Sequence, residues 1–287
     1  MEEIRSQTCV KFRNTNKKGA RIIQEKEDDG CWSNLGASNG ALNIPNNCEN
    51  SIGHEILHSL GILHEQARTD RDAYLHVNKT GNNFNINPSS SIVSPFEYAS
   101  SMMYYSDKDL YPVVGDYNNT MGLRQLTFYD IYMVNKLYSC SCPKNLECKN
   151  RGYTNPSSCD TCICPDGFTG KLCTELKNDI YSSSIEWKTI SRKVKNGTLH
   201  EYDYIKPMAG KSLEIYVESQ SFYPDYNWCG GGSIEIKYMA DIRITNPISC
   251  GGFNLYKNIR TSFNDPTVIV YRGGVSEATY NIRFRSV

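Results

Sequence analysis

Apolar and polar residues alternate along much of the chain from about residue 178 to residue 287. Clusters of Gly, Pro, Asn and Asp separate the alternating runs, as turns separate the strands of a sheet. The clearest runs are LEIYVESQSF (213–222), SIEIKYM (233–239), TVIVYR (267–272) and TYNIRFRSV (279–287). This pattern predicts an all-β domain over residues 178–287.

Residues 51–61, SIGHEILHSLG, have the period of a helix instead. Gly61 can adopt the left-handed backbone conformation that ends a helix. The surrounding residues 1–140 have a mixed α and β pattern, and the Asn- and Ser-rich residues 78–94 predict a loop. The apolar residues of the predicted helix form one stripe, which consists of Ile52, Ile56, Leu57 and Leu60.

The chain contains 12 cysteines, and six of them lie within residues 141–174. A segment of that length is too short to form a hydrophobic core, so we expect disulfides to hold it together. The Cys-x-x-Cys at 159–162 is also compatible with zinc or redox chemistry, but cysteines this densely spaced favour disulfides. The chain therefore divides into three predicted domains, at 1–140, 141–174 and 178–287.

The formal net charge is zero, so bulk charge predicts neither nucleic acid nor an anionic membrane as a partner. No apolar run approaches the length of a membrane span. The N-terminus, MEEIRSQTC, does not resemble a signal peptide. The cysteines nevertheless predict a secreted protein, as do glycosylation sequons at Asn78, Asn118 and Asn196. We therefore expect the coding start to be incomplete.

Three of the five histidines fall within residues 54–64, HEILHSLGILH. His54 and His58, four residues apart on a helix, place both imidazoles on one face, and a turn at Gly61 can bring His64 back as a third ligand. Three imidazoles with an open fourth position are a catalytic zinc site, and the Glu55 carboxylate can move protons beside it. The alternative is a buried amphipathic helix with incidental histidines, but it leaves the matching positions of His, Glu and Gly unexplained.

The longer segment HEILHSLGILHEQARTDRD resembles the zinc motif of the astacin metalloendopeptidases, HExxHxxGxxHExxRxDRD, at every specified position. The family belongs to the metzincins, and the resemblance implies an α+β metzincin catalytic domain that holds one Zn²⁺. It also implies that Glu65 meets the mature N-terminus. Arg68, Asp70, Arg71 and Asp72 match the rest of the motif, and we expect them to form structural ion pairs behind the site.

Downstream, Ser101-Met-Met-Tyr-Tyr resembles the Met-turn of the same family, S-x-M-H-Y. The resemblance implies that Met103 packs beneath the zinc ligands and that Tyr105 stabilises the transition-state oxyanion. Tyr104 replaces the usual histidine, and we expect little effect from that change. Arg124 matches an arginine near the primed side that favours an acidic residue after the cleaved bond, and a solvated surface arginine is an equal alternative.

Resemblances also suggest the disulfide pairing. The pairs Cys9–Cys140 and Cys31–Cys48 resemble those of astacin catalytic domains. Residues 141–174 resemble an epidermal-growth-factor (EGF) module, which implies 142–159, 148–162 and 164–173, although sequence alone permits fifteen pairings. Residues 178–287 resemble a CUB domain, a β-sandwich in which Cys229–Cys250 would be a disulfide and which would bind extracellular proteins or glycans.

Two departures from the family pattern bear on function. Cys9 comes early, so we expect the first strand and the start of the first helix of the catalytic domain to be missing. The strand that binds the substrate backbone by strand addition is expected near Ala41–Ile44, in SNGALNI, which differs from the usual G-G-x-Q-x-x-S-L. The predicted function is that of a secreted zinc endopeptidase acting on extended protein substrates. The alternative is an inactive secreted binding protein with a relic catalytic domain.

Overall fold

A computed structural model describes residues 1–13, 21–23, 30–36, 41–45, 48, 51–90, 92–178, 180–195, 197, 200–221, 229, 232–250, 259–261, 266–273 and 277–287. Residues 38–40 of the predicted SNGALNI strand lie outside this set, as do Asn196 and Thr198 of the third sequon. The chain forms two compact units. Unit 1 comprises Met1–Gly115, Met121–Glu147 and Tyr153–Ile163, and unit 2 comprises Asp116–Thr120, Cys148–Gly152 and Cys164–Val287.

Unit 1 combines helices with short strands. Its helices are α1 (Glu2–Gln7), α2 (Ile52–Ser59) and α3 (Phe128–Leu137). Its strands are β1 (Arg21–Ile23), β2 (Trp32–Ser33), β3 (Ala41–Asn43), β4 (Leu75–Val77), β5 (Leu110–Pro112), β6 (Tyr153–Thr154) and β7 (Cys162–Ile163). The strands β4 and β5 pair antiparallel, as do β6 and β7. Short 3₁₀ turns at Glu65–Ala67 and Arg71–Ala73 follow α2.

The prediction that Ala41–Ile44 is a substrate-binding edge strand is wrong. The order of the described three-stranded sheet is β1-β3-β2, so β3 lies in the middle. Its backbone pairs in parallel with β1 on one side and antiparallel with β2 on the other. A strand that is paired on both sides has no free backbone edge to offer a substrate. Among the described strands, β1 and β2 are the edges of this sheet.

The helix α2 begins and ends where its sequence predicts. Gly61 has a φ of +93°, which is the left-handed conformation that favours glycine. The Gly61 N–H donates to the carbonyl of His58 (2.9 Å), and the Ile62 N–H donates to that of Leu57 (3.0 Å). These two bonds form a Schellman motif, which turns the chain sharply after the helix. The turn is what brings His64 back toward the residues of α2.

Helices α2 and α3 both contribute apolar residues to the core of unit 1. The first turn of α3 has a capping box, in which Thr127 and Asp130 bind each other's backbone N–H. Burial of the shared apolar face stabilises unit 1 and fixes α2, the helix that carries two of the three histidines. Buried residues of this core are Ile4, Leu42, Ile56, Leu57, Leu60, Ile62, Met102, Ile131, Met133, Val134 and Ile163.

Unit 2 is a β-sandwich with a hairpin formed by β8 (Phe168–Thr169) and β9 (Glu175–Leu176). All four of the alternating runs contain strands, which confirms the predicted β structure of these segments. One sheet has the order β10 (Ile180–Ser182), β12 (Glu201–Lys206), β17 (Thr267–Gly273), β14 (Gly232–Ile236) and β15 (Ile248–Ser249). The other has the order β11 (Lys188–Val194), β18 (Ala278–Ser286), β13 (Leu213–Ser221) and β16 (Ile259–Thr261).

The inward-facing residues of both sheets form one core, which is the reason for the period of two along each strand. Ile215 and Val217 of β13 pack there with Ile234 of β14 and Ile282 of β18. On the opposite face of the first sheet, Glu235 is fully buried and pairs with Lys237 and Arg272 at 2.9 and 2.8 Å.

All 12 cysteines are disulfide-bonded. None of the helices in the described parts of the chain has the length and apolar character needed to cross a bilayer. The structure joins Cys9 to Cys140, Cys31 to Cys48, Cys142 to Cys159, Cys164 to Cys173 and Cys229 to Cys250.

Candidate metal centre

The side chains of His54, His58 and His64 converge in unit 1, although the third comes from outside the helix. The Nε2 atom of His64 lies 3.0 Å from Nε2 of His58 and 3.2 Å from Nε2 of His54. All three side chains offer ligand atoms within 4.8 Å of one another. In the described parts of the chain, this is the one group of three or more metal-binding side chains.

Backbone carbonyls fix two of the imidazoles. Nδ1 of His54 lies 2.6 Å from the carbonyl oxygen of Ser101, and Nδ1 of His58 lies 2.9 Å from that of Ile62. A carbonyl can only accept, so Nδ1 carries the hydrogen and Nε2 presents a lone pair to the centre of the group. The Schellman motif after α2 supplies one of these carbonyls, because it places Ile62 beside the last turn of the helix.

Burial keeps the three imidazoles neutral. Burial, together with the charges of neighbouring histidines and Arg124, lowers the pKa of His54 to about 3 and that of His64 to about 2. Burial also lowers the pKa of His58. A neutral imidazole is the form that binds a metal ion.

The donor set fits zinc. A tetrahedral site with Zn–N bonds of about 2.0–2.1 Å has ligand nitrogens about 3.3 Å apart, close to the separations in this group. Imidazole nitrogens are among the preferred ligands of Zn²⁺, and three protein ligands leave the fourth position for a substrate or water. The arrangement therefore has the ligand number of a catalytic zinc site.

Glu55 follows His54 on α2 and is 5% exposed, so it is almost entirely removed from solvent. Burial raises the pKa of its carboxyl group to about 7, although the charge of Arg124 opposes this shift. A carboxyl group with a pKa near 7 can accept and return a proton near neutral pH. Its place on α2 gives it a fixed position relative to two of the three imidazoles.

The segment 101–105, the predicted Met-turn, lies beside the histidines, and its first three residues are buried. Met102 and Met103 are both fully buried, and the Met103 N–H donates to the Ser100 carbonyl at 2.9 Å. The Glu65 N–H donates to the carbonyl of Met102 at 3.0 Å, which ties the residue after the third histidine to this segment.

Tyr105, the predicted oxyanion donor, packs closely against Gly122. A Cβ atom at Gly122, whose φ is +76°, would lie 2.2–2.8 Å from atoms of the Tyr105 ring. The guanidinium of Arg124 lies 5.3 Å from the centre of the same ring, and its Nη1 donates to Ser51 Oγ at 3.4 Å. Arg124 also has a left-handed backbone, with a φ of 58°. Its charge influences the pKa values of Glu55, His54 and His64, so it lies close to the candidate centre.

Sequence reasoning missed two residues of this region. The ring of Tyr104 contacts that of His64 edge to face, with 4.6 Å between their centres, although we expected this residue to matter little. Asp130 of α3 is fully buried and accepts hydrogen bonds from Ser100 Oγ (2.6 Å) and the Ser101 N–H (2.9 Å). It therefore supports the residue whose carbonyl orients His54. The T-x-x-D pattern at 127–130 is a capping signal that could have drawn attention to it.

Glu65 has a partner within the chain. Its carboxylate accepts from Arg68 Nη1 at 3.0 Å and from the Glu97 N–H at 2.9 Å. Arg68 also pairs with Asp70 at 2.8 Å, and Arg71 pairs with Asp72 at 3.1 Å. These ion pairs fix the chain after His64.

Comparison with known proteins agrees with this geometry. The family model for the astacin peptidases matches residues 1–139. The zinc metalloproteinase nas-20 of Caenorhabditis elegans is 34% identical over 99% of this chain and 80% of its own length. The zinc metalloproteinase nas-17 of the same organism is 37% identical over 99% of this chain and 73% of its own length. Among solved structures, the CUB1-EGF-CUB2 domains of rat MASP-1 align with 50% of this chain and 54% of that chain at 14% identity, but the TM-score of 0.28 is too low to establish a shared fold. On the strength of the family model and these relatives, the chain belongs to the astacin family of zinc-dependent peptidases.

Proposed function

We propose that this peptidase is a secreted endopeptidase that cleaves extended protein substrates at the centre formed by His54, His58 and His64. The convergence of the three Nε2 atoms next to the buried Glu55 carboxyl group is the observation that carries the proposal. Those three imidazoles would hold the zinc ion.

When bound, zinc supplies a Lewis acid for the scissile carbonyl and lowers the pKa of water toward about 7. Glu55 takes a proton from the attacking water and passes it to the leaving amine, the role for which a pKa near 7 is suited. The hydroxyl of Tyr105 donates a hydrogen bond to the oxyanion, a kind of stabilisation worth about 3–4 kcal/mol. Arg124 attracts an acidic side chain on the primed side, because its charge already acts on the centre.

The substrate backbone is proposed to add to the side of β2 (Trp32–Ser33) that pairs with no described strand. This strand is an edge of the described sheet, and the loop that follows it reaches α2, since the Gly36 N–H donates to the His58 carbonyl at 2.9 Å. Strand addition uses main-chain bonds, so it accepts many sequences and requires an extended substrate. This proposal replaces the strand predicted at residues 41–44.

The remaining features support export and additional binding. Disulfides persist in oxidising compartments, and Asn78 and Asn118, the first residues of two sequons, are exposed. We interpret residues 141–174 as an EGF-like module and residues 178–287 as a CUB-like domain that binds extracellular proteins or glycans. Its two sheets around one core support the second interpretation.

The test compares the parent chain with Glu55→Gln on a denatured protein substrate. We expect the parent to cleave it, a chelator to stop cleavage and added Zn²⁺ to restore it. Glu55→Gln should reduce the rate at least about 100-fold, because it removes general acid–base catalysis. Glu147→Gln, at an exposed glutamate of the same unit, is the matched control and should retain the parent rate. Equal, chelator-insensitive cleavage by the parent and Glu55→Gln would refute the assignment, and a zinc-loaded parent without any cleavage would favour the binding-protein alternative.

A further inference from the structure

The three histidines are not held in the same way. His54 and His58 lie on α2, and each has a backbone carbonyl on Nδ1. His64 lies beyond the helix, with extended backbone angles (φ −57°, ψ 141°). Its hydrogen-bonding contacts all involve Nε2, and no described residue hydrogen-bonds to its Nδ1. The described contacts that can orient this ring are those with neighbouring rings.

Among the described residues, three rings contact the His64 imidazole, and two of them do so edge to face. His58 lies with its ring centre 4.4 Å away at an interplanar angle of 86°, and Tyr104 lies 4.6 Å away at 67°. Both are edge-to-face contacts, which favour a particular relative orientation of two aromatic planes. His58 belongs to the candidate centre itself, so Tyr104 is the outside support.

Tyr104 is itself held from two sides. Its backbone N–H donates to Oε1 of Gln66 at 3.3 Å, and Nε2 of the same fully buried amide donates to the Asn83 carbonyl at 3.2 Å. Its ring meets that of Phe84 edge to face, with the centres 5.7 Å apart. A side chain fixed through both its backbone and its ring can in turn fix a neighbour.

We propose that Tyr104 is a positioning residue for the third zinc ligand. Contact with its ring keeps the His64 imidazole in the plane in which its Nε2 faces those of His54 and His58. Without the Tyr104 ring, the His64 imidazole can rotate more freely in the zinc-free protein. It then loses more conformational entropy when zinc binds, so the affinity for zinc falls. Tyr104 thus orients the His64 ring by packing. The carbonyls of Ser101 and Ile62 orient the rings of His54 and His58 by hydrogen bonding. This inference rests on the proposed assignment of the three histidines.

The experiment measures the zinc dissociation constant of the full chain by competition with a chromogenic chelator. Loss of a supporting contact behind a metal ligand typically costs 10- to 100-fold in metal affinity, so we expect Tyr104→Ala and Tyr104→Leu to bind zinc about 10-fold more weakly. Tyr104→Phe keeps the ring and should stay within about twofold of the parent. Tyr104→Leu keeps apolar volume and decides the matter if Tyr104→Ala does not fold.

Tyr111→Ala provides a matched control. It removes a tyrosine ring that lies 4.7 Å from His76, a histidine outside the candidate centre in the same unit. We expect parent affinity from this variant. With Co²⁺ in place of zinc, the absorption bands should change in Tyr104→Leu but not in Tyr111→Ala, which reports ligand geometry independently of catalysis.

The outcomes separate this inference from the site assignment. A folded Tyr104→Leu variant with parent zinc affinity overturns the inference, and so does a Tyr104→Phe variant as weak as Tyr104→Leu, because the hydroxyl would then carry the effect. His64→Ala tests the assignment and should abolish tight binding. If His64→Ala keeps parent affinity, the site itself is wrong, whatever Tyr104 does.

Discussion

Removal of the Asp130 carboxylate should weaken both unit 1 and its candidate zinc site. Asp130 Oδ2 accepts the N–H groups of Ser101 and Thr127, both at 2.9 Å, and Oδ1 accepts the Ser100 hydroxyl at 2.6 Å. The Ser101 carbonyl in turn lies 2.6 Å from Nδ1 of His54. One buried side chain thus connects the start of α3 to His54, a candidate zinc ligand.

Asp130→Ala leaves the Ser101 and Thr127 N–H groups without an acceptor. A buried unsatisfied donor costs about 1–3 kcal/mol, and the Ser101 N–H is buried whereas the Thr127 N–H is part-buried, so Asp130→Ala should cost about 1–3 kcal/mol of unfolding free energy or somewhat more. Asp130→Asn should be milder, at about 1–2 kcal/mol. Its carboxamide oxygen can replace Oδ2 for both N–H groups, and its NH₂ group can donate to Ser100 Oγ. Because Ser101 is less constrained in Asp130→Ala, zinc affinity should also fall about 10-fold.

Urea unfolding of the zinc-free protein gives the stability of both variants. Hydrogen exchange of peptides that contain residues 101 and 127 assigns the change to unit 1, since a chain with two units need not unfold in one step. The reasoning is refuted if Asp130→Ala loses less than about 1 kcal/mol, or if Asp130→Asn is as unstable as Asp130→Ala.

Three further predictions follow from individual contacts. Gly122→Ala should lower kcat about 100-fold with little change in KM, because its Cβ would displace the Tyr105 ring. The control in the same kinetic assay is Gly81→Ala, at a glycine that also has a positive φ (+111°) but has no atom within 4 Å of the added Cβ. Burial alone would raise the pKa of Glu235, but Lys237 and Arg272 lower it to about 2, below the usual 4.5. Unit 2 should therefore lose about 3 kcal/mol of unfolding free energy as the pH falls from 4.5 toward 2. Urea unfolding over this pH range tests this, and the prediction is contradicted if Glu235→Gln shows the same loss as the parent. Arg124→Ala should lower kcat/KM about 10-fold for peptides with an acidic residue after the cleaved bond but not for matched neutral peptides, and equal losses on both would return Arg124 to a general structural role.

The sequence predicted correctly those features that depend on residues close together in the chain. The apolar stripe and Gly61 define α2, and the positions of His54 and His58 on one face follow from helical geometry alone. The runs of β13, β14, β17 and β18 alternate because one face of each strand enters a shared core. In both cases the signal and the structure lie within about ten residues of each other.

Contacts between residues far apart in the chain could not be predicted from the sequence. Whether β3 is an edge or a central strand depends on β1, a three-residue run about twenty residues upstream whose pairing has no local signature. The same limit applies to Tyr104. Little effect was expected from this residue because it is not a zinc ligand, and its contacts with His64 and Phe84, which come from segments 40 and 20 residues away, could not be read from the sequence.

The contacts that orient the candidate zinc ligands therefore come largely from outside helix α2. Helix α2 fixes the spacing of His54 and His58, but the orientation of His54 depends on the Ser101 carbonyl, and that of His64 on the proposed contact with Tyr104. Both of these contacts come from the segment 101–105, and Asp130 holds that segment by accepting the Ser101 N–H. A zinc motif alone thus cannot guarantee a formed site: a chain that kept every histidine but lost this segment's anchors would bind zinc weakly.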